Sequence, residues 1–118
     1  MTDIQLLPAV QAFLAREHGH FIDGQYQVDS LTPAFAVVDP STALTVASVH
    51  EASAAEVERA VAGAAKAFKG SWAQTLPYVK GVLLNKLADL IEANGDELAQ
   101  LEAVCSGKSI NLARGLEI

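Results

Sequence analysis

Residues 77–108, PYVKGVLLNKLADLIEANGDELAQLEAVCSGK, constrain the fold more than any other stretch. They predict two amphipathic helices joined by a capped turn at Asn94-Gly95-Asp96. Val79, Leu83, Leu87, Leu90 and Ile91 recur at helical spacing and form one apolar stripe, broadened by Val82 and Leu84. Lys86, Asp89 and Glu92 fall on the opposite, wet side. Leu98, Leu101 and Val104 mark the buried side of the second helix. Pro77 suits a first helical turn and Thr75 is placed to cap it. Asn94 closes the first helix and is placed to cap the second, because Asn94-Gly-Asp-Glu97 has capping-box spacing. Gly107 ends the second helix. Gly81, inside the first, costs about 1 kcal/mol relative to alanine.

Upstream, Pro8 to about Glu17 reads as a short helix with Val10, Phe13 and Leu14 on one face, ended by Gly19 and preceded by frayed residues. His20 to Tyr26 reads as strand and turn, with Asp23-Gly24 as the hairpin signal. Residues 27–33 are loop-like. Phe35–Val38 is a short apolar strand stopped by the Asp39-Pro40-Ser41-Thr42 turn. Leu44–His50 is the next strand, antiparallel to it because the connection is short. Ser53 and Glu56 form a capping box that opens a helix to about Lys69, with Val57, Val61, Ala64 and Phe68 as its buried face. Lys66 and Lys69 suit the negative end of the helix dipole, and Gly70 predicts a left-handed stop. Gly63 either faces water or lets another backbone approach. Residues 71–76 are a linker whose Trp72 packs under the helix ends, and residues 109–118 begin another helical pattern. The reading is an α+β chain over residues 1–118: antiparallel strands at about 20–50, then three to four amphipathic helices at about 53–118.

Composition narrows the function classes. Hydrophobic residues are 51% and charged residues 19%, which places the chain among globular sequences. At 118 residues it is one domain or part of one, large enough to bury roughly 65% of its unfolded surface. A net charge of −6, with eight singly scattered Lys and Arg, lacks the basic patch that nucleic acid requires. The apolar runs are too short for a membrane span, and the N-terminus has no signal-peptide pattern. Cys105 is the sole cysteine, so no internal disulfide forms; a cytoplasmic, reducing setting is expected.

Each candidate for chemistry has a plainer structural explanation. Gly107-Lys108-Ser109 resembles the end of a phosphate loop, but Glu102 stands where that loop needs glycine, and a helix precedes it instead of a strand. A helix C-cap followed by a surface lysine accounts for it. Cys105 lies near a helix C-terminus, where the dipole disfavours a thiolate, although Lys108 is close. His18 and His20 have the spacing of a chelating pair in a strand, without a third ligand, and His50 is distant. Glu56, Glu58, Glu92, Glu97 and Glu102 read as caps and solvated faces. No G-x-G-x-x-G loop exists. The residues alone therefore nominate no catalytic, cofactor-binding or metal-ligating side chain.

Several blocks in order carry a family resemblance: Phe21-Ile-Asp-Gly24, Val38-Asp-Pro-Ser-Thr42, Val46-Ala-Ser-Val49, Glu56-Val-Glu-Arg-Ala-Val61 and Ala67-Phe68. Trp72-Ala73, Leu83-Leu84, Leu87-Ala-Asp-Leu-Ile91, Glu97-Leu-Ala99, Leu101-Glu102 and Ser106-Gly-Lys-Ser109 follow. Each is weak alone; together, over residues 13–118, they resemble the N-terminal region of the aldehyde dehydrogenase superfamily. The pattern is most similar to bacterial phenylacetaldehyde dehydrogenases, through PAVQAFLAREHGHFIDG and GKSINLARGLEI.

The resemblance implies a complete enzyme that oxidises an aldehyde to a carboxylic acid with NAD(P)+. In that family a cysteine thiolate attacks the carbonyl, hydride passes to the nicotinamide, and a glutamate-activated water hydrolyses the thioester. An asparagine side chain and a backbone amide hold the oxyanion. None of these groups maps onto residues 1–118, so the implied role is a truncated, inactive flank of a Rossmann-like cofactor domain that binds no cofactor by itself. Cys105 stands where the family usually has Asp, a residue that in some members helps to bind a structural monovalent cation. Ala43 stands where glycine commonly follows Thr, and Lys80-Gly81 where an Arg-containing turn is usual. The second expectation is a non-catalytic module that docks on itself or on a full-length homologue through its apolar stripes.

Overall fold

The computed structural model describes residues 5–28 and 32–118, so residues 29–31 of the expected 27–33 loop, and residues 1–4 of the expected frayed start, lie outside the described residues. Pro8 at the first helical position starts α1 (Pro8–Leu14). The helix ends three residues earlier than its periodicity suggests. Glu17 belongs instead to β1 (Glu17–His18), which pairs in parallel with β5 (Thr45–His50), Glu17 opposite Ser48 and His18 opposite Val49. β4 (Ala34–Val38) pairs antiparallel on the other side of β5, giving the order β1-β5-β4 with a bulge between Val37 and Val38.

Between β1 and β4 the chain makes a separate hairpin, β2 (His20–Ile22) and β3 (Gln25–Gln27). Asp23 and Gly24 turn it with φ of 51° and 76°, the two positive values of a type I′ turn. Gly19 is where the chain leaves one sheet for the other. A Cβ there would run into the Gln27 carbonyl, so glycine is required by the close approach of backbone. Tyr26 secures the crossing: the Gly19 amide donates to its hydroxyl at 2.8 Å, and that hydroxyl donates to the Glu17 carbonyl at 2.8 Å.

Four helices of unequal length follow: α2 (Ala54–Lys69), the single turn α3 (Ser71–Gln74), α4 (Pro77–Ala93) and α5 (Gly95–Ser106). The Ser53–Glu56 capping box forms in full. Residues 71–76 contain a helical turn where a linker was expected. There the Thr75 hydroxyl donates back to the Ser71 carbonyl at 2.9 Å instead of capping α4. Asn94 also acts backwards: its side-chain amide donates to the Leu90 carbonyl at 2.7 Å, and the predicted capping box with Glu97 does not form. Gly70 has φ −92°, an ordinary value, so the left-handed stop is not used. Gly107 does adopt it, at φ 75°. The chain finishes with α6 (Ile110–Leu112), capped by Ser109, and a π-helical turn over Ala113–Glu117.

The core lies between α1, α5 and the face of β5. Val10, Leu14, Ala99, Ala103, Val104 and Ala113 are buried there. Ala99 and Ala103 are one turn apart, and their small side chains let α1 approach α5 closely. Leu98 and Leu101, expected on the buried side, are only partly covered. The larger departure concerns α2 and α4. Val57, Val61, Ala64 and Phe68 were expected inside, yet all are exposed, Phe68 at 76%. The whole α4 stripe is open as well, Leu87 at 52% and Leu90 at 53%. Trp72 does not pack under helix ends; it is half exposed, with the Lys80 ammonium 5.2 Å above its ring. The periodicity is real, but within this chain nothing covers the apolar sides of α2 and α4. The result is a slab of 53 × 38 × 20 Å with a radius of gyration of 17.3 Å. A compact domain of this length has about 13.5 Å.

Candidate functional site

The strands and α5 enclose one apolar cleft of about 500 Å³. Val37, Ala47 and Val49 form its sheet side, Leu98 and Leu101 its helix side, and Phe13 one end. Two residues that the sequence suggested separately meet on its wall, His18 and Cys105, with Glu102 beside them. The His18 ring stacks on Phe13 at 4.7 Å between centroids, and its Nε2 is buried without a hydrogen-bond partner. Nothing in the sequence pattern brought these three together, because β1 is only two residues long and hides at the end of a helical run.

The cleft does not make Cys105 a nucleophile. Burial pushes its pKa up, and the negative charges of Glu102 and Asp39 add to the shift, so the thiol stays protonated at neutral pH. The histidines do not form a chelating pair. The strand break at Gly19 puts His18 in the three-stranded sheet and His20 in the hairpin. His50 turns its Nδ1 to the Thr32 carbonyl at 3.1 Å. Among the described residues no group of three or more His, Cys, Asp or Glu is placed to hold a metal ion.

Lys108 is engaged at the end of α5. Its ammonium lies 2.6 Å and 2.8 Å from the Glu117 carboxylate oxygens and 3.2 Å from Glu102 Oε1. The bond to Glu117, then that to Glu102, holds its pKa up. Lys108 therefore ties the terminal π-turn to α5, with Arg114 and Asp96 at 2.7 Å reinforcing the same join. The start of α2 is occupied as well. The Glu56 carboxylate accepts from the Ser53 amide and hydroxyl, each at 2.8 Å, at the start of α2. Asp96 and Glu97 lie in the first turn of α5, though neither caps it. A dinucleotide pyrophosphate needs a vacant positive helix terminus and a glycine-rich turn. The sequence has no such glycine-rich turn, so these residues do not fit one.

Asp39 is a buried carboxylate that the sequence reading placed only in a turn. Its Oδ1 accepts from the Ser41 amide at 2.8 Å and the Ser41 hydroxyl at 2.6 Å, and its Oδ2 from the Thr42 hydroxyl at 3.0 Å. These bonds, Ser41 foremost, hold its carboxyl below the usual range. The Asp-Pro-Ser-Thr run was the available signal. The turn it builds seats Pro40 against Gly107: a Cβ on that glycine would lie 2.7 Å from Pro40 Cγ. Two of the family-like blocks, distant in sequence, thus meet in space. Residues 27–118 match the profile of the aldehyde dehydrogenase family. The chain belongs to the aldehyde dehydrogenase family.

An aldehyde dehydrogenase of Aspergillus niger is 44% identical over 97 residues, covering 82% of this chain and 20% of that protein. One from Alternaria alternata is 39% identical over 120 residues, covering 100% of this chain and 24% of the relative. Among solved structures, the NAD+ complex of a Bacillus cereus aldehyde dehydrogenase superposes with a TM-score of 0.90 at 38% identity, over 98% of this chain and 24% of that one. The chain thus spans a fifth to a quarter of the length of the aldehyde dehydrogenases it matches. Among the described residues, no helix is long and apolar enough to cross a membrane.

Proposed function

We infer that this chain is the N-terminal portion of an NAD(P)-dependent aldehyde dehydrogenase, flanking its cofactor domain and inactive by itself. The observation that carries the reading is the pairing of 38% identity and a TM-score of 0.90 with coverage of only 24% of the matched aldehyde dehydrogenase. The complete enzyme would convert an aldehyde, NAD(P)+ and water into a carboxylate and NAD(P)H. An aryl aldehyde such as phenylacetaldehyde is the proposed substrate, from the resemblance of the leading segment and of residues 107–118. A cytoplasmic setting fits the unpaired Cys105. The local chemistry supports inactivity of the isolated chain, since burial and the nearby Glu102 and Asp39 carboxylates hold its one thiol protonated. The test is an assay of the purified 118-residue chain with phenylacetaldehyde and NAD+, followed by NADH absorbance. No rate above the blank is expected, and turnover sinks the reading.

A further inference from the structure

α4 and α5 meet at Asn94-Gly95, and no other asparagine in the chain is followed by glycine. Asn85 precedes Lys86 inside α4, and Asn111 precedes Leu112 inside α6. The pairing matters because a main-chain nitrogen can attack the side-chain carbonyl carbon of the asparagine before it. A β-carbon on the attacking residue hinders that approach, and glycine has none. The junction leaves this pair open. Asn94 is exposed, and no side chain caps the start of α5. Gly95 is the first residue of α5, and the first amides of a helix have no partner within it. Both residues line an open cavity of about 780 Å³ with Glu92, Asp96, Arg114 and Ile118, so water reaches the junction. Two bonds hold Asn94 against reaction. Its side-chain amide donates to the Leu90 carbonyl at 2.7 Å, and its own carbonyl receives the Leu98 amide at 3.1 Å. Its ψ of 16° must also turn before the Gly95 nitrogen reaches Cγ.

We propose that Asn94 is a spontaneous modification site, at which the chain ages into aspartyl and isoaspartyl forms each time the α4–α5 junction opens. The Gly95 nitrogen bonds to Asn94 Cγ, the Cγ–Nδ2 bond breaks, and Nδ2 leaves as ammonia with the proton of the Gly95 amide. Water then opens the cyclic imide at one of its two carbonyls. Cleavage at Cγ gives an aspartate on an ordinary backbone. Cleavage at the main-chain carbonyl routes the chain through Cβ and Cγ as isoaspartate. Nothing is oxidised or reduced, and water is the only co-reactant. Either product adds one negative charge to the formal −6 of the chain. The donor to the Leu90 carbonyl is lost in both, and a carboxylate stands at the negative end of α4. Asp96 and Glu97 in the next turn add like charge. In the isoaspartyl form the carbonyl that receives the Leu98 amide leaves the main chain, so the first turn of α5 loses its anchor.

The experiment incubates the 118-residue chain in mildly alkaline buffer and digests it with trypsin, which releases residues 87–108 as a peptide whose sole asparagine is Asn94. Mass spectrometry reads the exchange of amide for hydroxyl. Fragmentation that distinguishes an isoaspartyl backbone assigns the second product, and separates it from Asp23-Gly24, where the same ring forms without a mass change. Asn94 is expected to convert at least tenfold faster than Asn85 and Asn111, into both products. Gly95→Ala is expected to slow it at least tenfold. A Cβ there meets nothing closer than Ile118 Cγ2 at 3.9 Å, so this variant keeps the fold, with circular dichroism as the check. Urea that unfolds the chain is expected to speed conversion severalfold by removing the two holding bonds. The proposal is overturned if Asn94 stays intact in the folded chain while the urea-unfolded chain converts, because the junction then protects it. It is overturned equally if Asn85 or Asn111 keeps pace, or if Gly95→Ala converts as fast, since direct hydrolysis then accounts for the change. A rate that urea leaves unaltered removes the junction as the gate.

Discussion

Single residues carry two local tensions that measurement can resolve. Ala43 closes the Asp39 turn with φ 58°, its amide donating to the Asp39 carbonyl at 2.8 Å. An L-residue in the left-handed region costs roughly 1–2 kcal/mol, part of which glycine returns as unfolded-state entropy. Ala43→Gly is therefore expected to stabilise the fold by about 0.5–1 kcal/mol, read from urea midpoints at unchanged slope. Asp39 and Glu56 give the pH dependence. Hydrogen bonds from Ser41 lower the first, and those from Ser53 lower the second. A carboxylate whose pKa is lower folded than unfolded contributes stability above its unfolded value, about 3.9 for Asp and 4.3 for Glu, and loses it as pH falls through the folded value. Unfolding midpoints should thus be flat from about pH 7 to 5 and drop below about pH 4. Asp39→Asn combined with Glu56→Gln should flatten that drop; an unchanged acid limb would assign it to other carboxylates.

At the level of elements, the bounds of α2, α4 and α5 were legible, while the burial of the α2 and α4 faces was not. Ser53 with Glu56, Pro77 and Gly107 each act through bonds or dihedrals within one turn, so their sequence neighbours suffice to place them. The Asp23-Gly24 hairpin is local in the same way. Burial is not local. Stripes at Val57–Phe68 and Val79–Ile91 declare which side of each helix is apolar, but not that this side stays exposed in the chain. The cleft shared by His18 and Cys105 was hidden for a related reason: a two-residue parallel strand leaves no periodicity to read. The two glycines at helix sites make opposite predictions. Gly81 has nothing within 4 Å of a built Cβ, so Gly81→Ala should strengthen α4 by about 1 kcal/mol and raise helical ellipticity. Gly107 has φ 75° and Pro40 against it, so Gly107→Ala should lower the unfolding midpoint, by about 1–2 kcal/mol from the left-handed backbone alone. Equal effects at the two sites would show that neither environment is as described.

Taken whole, the molecule has one packed end and one open end. Amides of α5, next to the buried Val10, Ala99 and Ala103, should be the slowest to exchange with deuterium. Those of α4, whose contact with the rest runs chiefly through α5, should exchange at least tenfold faster. Uniform protection across both helices would mean that the open face is covered, by self-association or otherwise. The packed end also depends on parts far apart in the chain. The Leu7 amide donates to Gln100 Oε1 at 2.8 Å across a separation of 93 residues, and α1 rests on α5 beside it. A ribosome adds about 5–20 residues per second, so α1 emerges about 5–20 s before the helix that receives it. α1 thus waits for the helix that receives it, and in that interval its apolar side is available to chaperones.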